Sequence, residues 1–361
     1  MILPRWFDLH THFRQGENVA LYIEDHLAMG CAGALAMPNT KPPISRVSGK
    51  PSEDAWTIEN YSRQLREAGA DRFEQLIVPL YLTRETTPGD IDAGAKSGLL
   101  RACKYYPPHG TTNSEHGVPI ESWIGSDVFK AIEANGIMLC LHGEQHGLSG
   151  SDYFDSEQTA ESVFYDRWMP QLLTDHPDLR LTCEHITTAS AVKFVGSAPA
   201  DRVGATITPQ HLLYTVGHLI QGLRYHLYCL PIVKFDADRE ALRQAVRDPK
   251  QTQFFAGTDS APHTTKATDC GCAAGCYTGG CAPQLYAMAY EEAGANLDDE
   301  ADVAAFQRFL CENGPRHYQF DPSEETFEMK RGPSQLSVRE TGEGPVTPLP
   351  VGMGLELEWS I

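Results

Sequence analysis

Basic residues are scarce in this chain: 29 Lys and Arg stand against 48 Asp and Glu, a formal net charge of −19, and no basic run offsets it. Such a field opposes binding to nucleic acid or anionic membrane, which needs positive patches. If the substrate is an anion, local cations must overcome it. No run of about eighteen or more apolar residues occurs either, which argues against a membrane span. The opening "MILPRWFDLH" lacks the basic start and long apolar stretch of a signal peptide. Internal repeats, low-complexity tracts and clear linkers are also missing. These absences lead to the expectation of a cytoplasmic enzyme or binding protein with no nucleic-acid or membrane partner.

Cysteine is not scarce. Of the ten, Cys31, Cys103, Cys140, Cys183, Cys229 and Cys311 are scattered, several in apolar segments where a buried free thiol is the usual state. Without secretory signals a disulfide framework is not expected. Cys270, Cys272, Cys276 and Cys281 cluster in "CGCAAGCYTGGC". Their spacing matches neither a zinc ribbon nor a ferredoxin, and the role of the cluster stays open.

Eight short apolar segments alternate with longer helix-compatible ones: "RWFDLHTHF", "GALAMPN", "LIVPLYL", "LLRACKYY", "GIMLCLHGE", "LRLTCEHIT", "GATITP" and "TQFFAGTDS". Helices are expected in "SEDAWTIENYSRQLREAG", in "SDVFKAIEANG" and around residues 156–170. Alternation of this kind implies parallel pairing. Eight units are what an α/β (β/α)8 TIM barrel requires, roughly 250 residues at its core. The surplus predicts long βα loops and a short C-terminal extension. We therefore expect residues 1–361 to form one barrel domain, with a barrel core over about 5–320 and an extension over about 321–361.

Polar residues gather at one end of these segments: His10 and His12, Asn39, Lys104, His142, His185 and Asp259. That end of a barrel is where active sites are built. His10 and His12 lie two residues apart, so a strand points both the same way. Imidazoles with a carboxylate suit zinc and similar ions. Four histidines and an aspartate exceed the needs of one open catalytic zinc, but they suit two metals about 3.5–4 Å apart. Such a pair needs a bridging anion, and the fourth strand offers Lys104 rather than a carboxylate. Glu184 precedes His185 and by alternation faces the other way, so it is read as structural.

The pieces "DLHTHFRQG", "AMPNTKPP", "CKYYP", "TTNSEHGV", "LHGE", "EHITT", "ATITPQHLLY", "HLYCLPIVK", "GTDSAPH" and "CGCAAGC" resemble, in order over about residues 6–320, the amidohydrolase superfamily. Within it they resemble the dihydroorotases of the short, bacterial homodimeric type. The resemblance implies two zinc ions per subunit and a carbon dioxide-derived carbamate on Lys104 (N6-carboxylysine) bridging them. One metal would be held by His10, His12, Lys104 and Asp259, the other by Lys104, His142 and His185. It further implies reversible cyclisation of N-carbamoyl-L-aspartate to L-dihydroorotate, a step of pyrimidine synthesis. There a hydroxide bridging the metals is the nucleophile and Asp259 the general acid and base. Arg14, Asn39 and His263 would contact the substrate carboxylate, and Thr111 and Thr112 would donate from a closing loop. Leu230 and the pair Ala273 and Gly275 would complete the substrate contacts. One extra residue here leaves open whether Ala273 or Ala274 takes that part. His211 and His226 are read as structural.

Two other readings stand beside this one. A hydantoinase- or allantoinase-like enzyme would have a substantial stretch before its His-x-His pair and a sandwich built from both termini. Here His10 arrives almost at once, so no sandwich strand is expected ahead of it, although "LELEWSI" alternates as a strand would. A noncatalytic structural partner would lack metal ligands, and every matching position is filled.

Overall fold

The structure, a computed structural model, describes residues 1–269 and 271–361; Cys270, one of the clustered cysteines, lies outside them. All eight apolar segments contain strands. The first, Trp6–Thr11, pairs in parallel with Cys31–Ala36, and that strand pairs with Gln75–Ile77. The third segment then breaks at Val78 and Pro79. Proline has no N–H to give a ladder, and the strand resumes at Leu80–Tyr81 to pair with Ala102–Tyr105. Met138–His142, Arg180–Glu184, Val203–Ile207 and Phe254–Ala256 follow, each parallel to the last. The ring closes where Thr11 bridges Ser260, with Asp259 N donating to His10 O at 2.8 Å and His12 N to Ser260 O at 2.9 Å.

Helices follow the strands, among them Val19–Ala28, Ile58–Glu67, Pro88–Ser97, Asp127–Ala134, Ala189–Ser197 and Ala282–Glu292. Several helix starts, that of Ala160–Arg167 included, are set by side-chain caps. Thr57, Ser126, Thr159 and Thr188 each accept from a backbone N–H of the first turn, and Thr87 forms a capping box with Asp90. The helix expected from residue 52 begins only at Ile58. Residues Trp56–Thr57 pair with Ile44–Arg46 instead, and the Thr57 side chain then caps the helix.

Inside the barrel, Phe7, Leu9, Ala102, Met138, Cys140 and Phe255 form an apolar floor. The polar residues stand above it. Lys104 and His142 continue the inward phase of Ala102 and of Met138 and Cys140. In the first strand the register shifts between Asp8 and Thr11. That irregularity lets His10 and His12 face inward although Phe7 and Leu9, of opposite parity, do so too.

The C-terminal residues make two small antiparallel pairings. Lys330–Ser334 pairs with Leu357–Ser360, so the alternating ending is a strand. Thr326–Glu328 pairs with Ile2–Pro4. A short strand therefore precedes the barrel, in a two-stranded pairing rather than a sandwich. Three residues, one of them proline, are too few to show an alternation.

Candidate metal centre and substrate cavity

His10, His12 and Asp259 converge, with one ligand atom from each lying within 4.8 Å of the others. Among the described residues no other such group of three occurs. Asp259 Oδ1 is 3.0 Å from His12 Nε2 and 3.3 Å from His10 Nε2. Its backbone is left-handed (φ 49°), an unusual state for a non-glycine residue. Burial alone would raise the Asp259 pKa, but hydrogen bonds from the two histidines hold it well below the carboxylate range. Burial, with Arg14 nearby, holds His12 down to about 4.

His185 follows the sixth strand, its ring centroid 4.8 Å from that of His10 and 4.7 Å from that of His142. Lys104 is fully buried at the same level, and its Nζ has no hydrogen-bond partner among the described residues. Burial lowers its pKa, against the pull of Glu184 and Asp259. A buried ammonium without a partner is costly.

Glu184 departs from the expected orientation. It keeps the inward phase of Thr182, while His185 leaves the strand with φ 39° and turns inward as well. Strand alternation no longer applies between the two. Glu184 Oε2 accepts from His10 Nδ1 at 2.6 Å and from Thr206 Oγ1 at 2.7 Å, and Thr206 Oγ1 in turn accepts from His185 N at 2.7 Å. Glu144 similarly lies 2.8 Å from His142 Nε2, so the nitrogen His142 can offer a ligand is Nδ1. Carboxylates behind histidines in this way fix ring orientation and tautomer at metal sites.

Beside this centre lies a cavity of about 250 Å³, with Arg14, Thr112, His263, Tyr22, Pro262 and Glu343 among its lining residues. Arg14 reaches it through a left-handed turn (φ 58°) after the strand has ended, rather than by continued alternation. The Tyr61 hydroxyl holds the Arg14 carbonyl at 2.6 Å, and Arg14 Nη2 lies 3.3 Å from His263 Nε2. Burial and the cations Arg14 and Lys266 hold His263 down to about 3, so it is neutral near pH 7. Its Nε2 donates to Ala274 O at 2.7 Å. Asn39 Nδ2 donates to Thr112 O at 2.8 Å, tying the second strand's end to the loop. Thr112 Oγ1 donates to Ala274 O at 3.3 Å.

Not every predicted contact arrives there. Thr111 closes a turn with Ser114 inside its own loop. Ala273 bonds Lys266 through its backbone, and Ala274 faces Thr112 and His263 instead. Ala274, rather than Ala273, is therefore the one joined to the cavity-lining residues. Gly275 sits at φ 139°, and a Cβ there would meet the Ala261 Cβ at 2.6 Å and His263 Nε2 at 2.9 Å, so only glycine fits. Its N–H donates to Tyr228 O at 2.9 Å, which sets it beside the segment carrying partly exposed Leu230.

The described cysteines of the cluster diverge. Cys272 Sγ points to Tyr225 O, Cys281 Sγ to Thr278 O, and Cys276 lies against Cys229. His211 bonds Thr208 Oγ1 and Pro231 O, as a structural histidine would. Sequence reasoning missed Lys266 and Glu144 altogether, and nothing in "HTTKATD" singles out its lysine.

No family model matches the chain. Among curated proteins it is 39% identical over 365 residues to a dihydroorotase of Picosynechococcus sp., covering 99% of this chain and 97% of the relative. Among solved structures it is similar to the Saccharomyces cerevisiae dihydroorotase in complex with 5-fluoroorotic acid, with a TM-score of 0.83 and 26% identity over 99% and 98% of the two chains. An L-hydantoinase from Arthrobacter aurescens shares the barrel fold at a TM-score of 0.74 and 13% identity, over 100% of this chain and 82% of that one.

Proposed function

Since the chain belongs to the dihydroorotase family, hydrolases acting on cyclic amides, we propose how its residues interconvert L-dihydroorotate and N-carbamoyl-L-aspartate. We infer two zinc ions, one held by His10, His12, Lys104 and Asp259 and the other by Lys104, His142 and His185, with Lys104 as the bridging carbamate.

The observation that carries this reading is the Lys104 amine, wholly buried, without a hydrogen-bond partner among the described residues, and in the field of the Glu184 and Asp259 carboxylates. His12 Nδ1, His185 Nδ1 and Glu184 Oε1 are also buried without a hydrogen-bond partner among the described residues. This donor set fits divalent ions. Lowering the lysine pKa favours the free amine, the form that adds carbon dioxide and loses a proton to become a carbamate. Bound ions would polarise the ring carbonyl and make a water-derived nucleophile available near neutral pH.

The protein's own groups do the remaining work. In hydrolysis the water oxygen bonds to the ring carbonyl carbon and the carbon–nitrogen bond breaks. Asp259 takes the proton from the water and returns it to the departing nitrogen. His10 Nε2 and His12 Nε2 face its Oδ1 at 3.3 and 3.0 Å, so a bound ion would take the place of the protons between them and keep the carboxylate ionised and fixed. Arg14 meets the substrate carboxylate with a guanidinium whose Nη1 has no hydrogen-bond partner among the described residues. Asn39 and Thr112 shape the loop that covers it. We further propose that the chain works as one barrel domain with its extension, as a cytoplasmic homodimer. Among the described residues no helix is long and apolar enough to cross a membrane.

Initial rates on dihydroorotate, hydantoin and allantoin, using zinc-loaded protein, test the proposal. Turnover of dihydroorotate above the other two supports it. Turnover of hydantoin or allantoin without dihydroorotate would sink it.

A further inference from the structure

Lys266 is a partly buried cation in a loop where no feature of the sequence marked it. Its ammonium donates to three backbone carbonyls, Tyr228 at 2.7 Å, Ala273 at 2.5 Å and Gly275 at 2.5 Å. All three of its donors are thereby used. Its own carbonyl accepts from Ala273 N at 2.8 Å, so residue 266 grips Ala273 twice. Among the described residues it makes no ion pair with a carboxylate.

The clamp has a directional consequence. The Ala273 and Gly275 carbonyls both turn to Lys266, and the carbonyl between them, that of Ala274, points the other way, to Thr112 Oγ1 and His263 Nε2. Tyr228, held by the same ammonium, receives the Gly275 N–H and leads into Leu230. Two separate stretches of chain, one through Tyr228 and one through Ala273–Gly275, are thus tied together by one side chain, and the second meets the cavity-lining Thr112 and His263 through Ala274 O. A neutral side chain of the same length would fill the space, but it would leave the Gly275 carbonyl without a donor, Ala273 O with only Cys272 Sγ at 3.6 Å, and Tyr228 O with only the Gly275 N–H.

We propose that Lys266 is a positioning residue for substrate binding: it orients the Ala274–Gly275 edge and the Leu230 segment against the end of the cavity that holds Arg14 and His263. It rests on the dihydroorotase reading above and adds a determinant of affinity to it. Lys266 touches neither the metal-ligand cluster nor Asp259 in any contact described. Its loss therefore affects how the substrate is held rather than the bond-breaking step.

The test is steady-state kinetics on zinc-loaded Lys266→Met and Lys266→Arg, with metal content and urea midpoints measured alongside. Loss of charge-assisted hydrogen bonds at the cavity edge is expected to raise KM for dihydroorotate about tenfold or more in Lys266→Met. The same variant should keep kcat within about threefold and retain its metal. Lys266→Arg, which keeps donors and charge, should recover much of the KM. Should Lys266→Met fail to fold, Lys266→Gln replaces it with the same split expected. A folded, metal-replete variant with unchanged KM, or one that loses kcat alone, overturns the inference. A wild-type enzyme inactive on dihydroorotate would instead overturn the functional reading.

Discussion

Glu184 Oε2 lies 2.6 Å from His10 Nδ1, and the two residues, 174 positions apart, form the tightest link between the first and sixth strands at the metal centre. The carboxylate takes one imidazole nitrogen and leaves the other, Nε2, directed at Asp259. Glu184→Gln weakens that hold on ring orientation and tautomer. Metal affinity is expected to fall about 10- to 100-fold, the usual cost of removing such a partner. Competition with a chelating dye measures it, and an unchanged affinity would remove Glu184 from this role.

Asp259 is the group placed to carry the proton. Asp259→Asn preserves the shape but not the basicity, so kcat should drop by about 10²–10⁴. Much of the metal should stay bound, because histidines and Lys104 remain. Rates and metal content on the same preparation check both halves. Near-normal turnover would rule Asp259 out as the proton carrier.

The eight-strand plan and the inward set His10, His12, Lys104 and His142 were legible because polar residues interrupt apolar segments at one recurring position. Glu184 was not legible. Its orientation follows from where the strand ends and from φ 39° at His185, and neither is written in a two-residue alternation. Arg14 illustrates a right position for a different reason, since a left-handed turn rather than the strand delivers it. That the Ala273 and Ala274 carbonyls turn opposite ways depends on which of them Lys266 captures, a contact between loops that no local pattern encodes.

His317 makes stability depend on pH. Its Nε2 lies 3.1 Å from Leu181 O, and burial, reinforced by Arg180, holds its pKa down to about 3 from 6.5. Between those values the unfolded chain takes up a proton that the folded chain refuses, so stability rises with pH. The contribution is full above the unfolded value of 6.5 and is lost progressively as pH falls toward 3. His317→Gln lacks this dependence. Denaturant midpoints compared at about pH 7 and about pH 4.5 should show the wild type losing more stability than the variant. Equal losses would contradict the assignment.

Lys104 carries the central claim, that a buried lysine supplies the anion between two metals. The decisive measurement is dihydroorotate turnover by zinc-loaded Lys104→Ala beside the wild type, with bound carbon dioxide assessed by intact mass under nondenaturing conditions. The wild type should carry one added carbon dioxide and turn over, and the variant should carry none and lose activity by about 10³-fold or more. A variant that hydrolyses dihydroorotate at close to the wild-type rate would contradict the account.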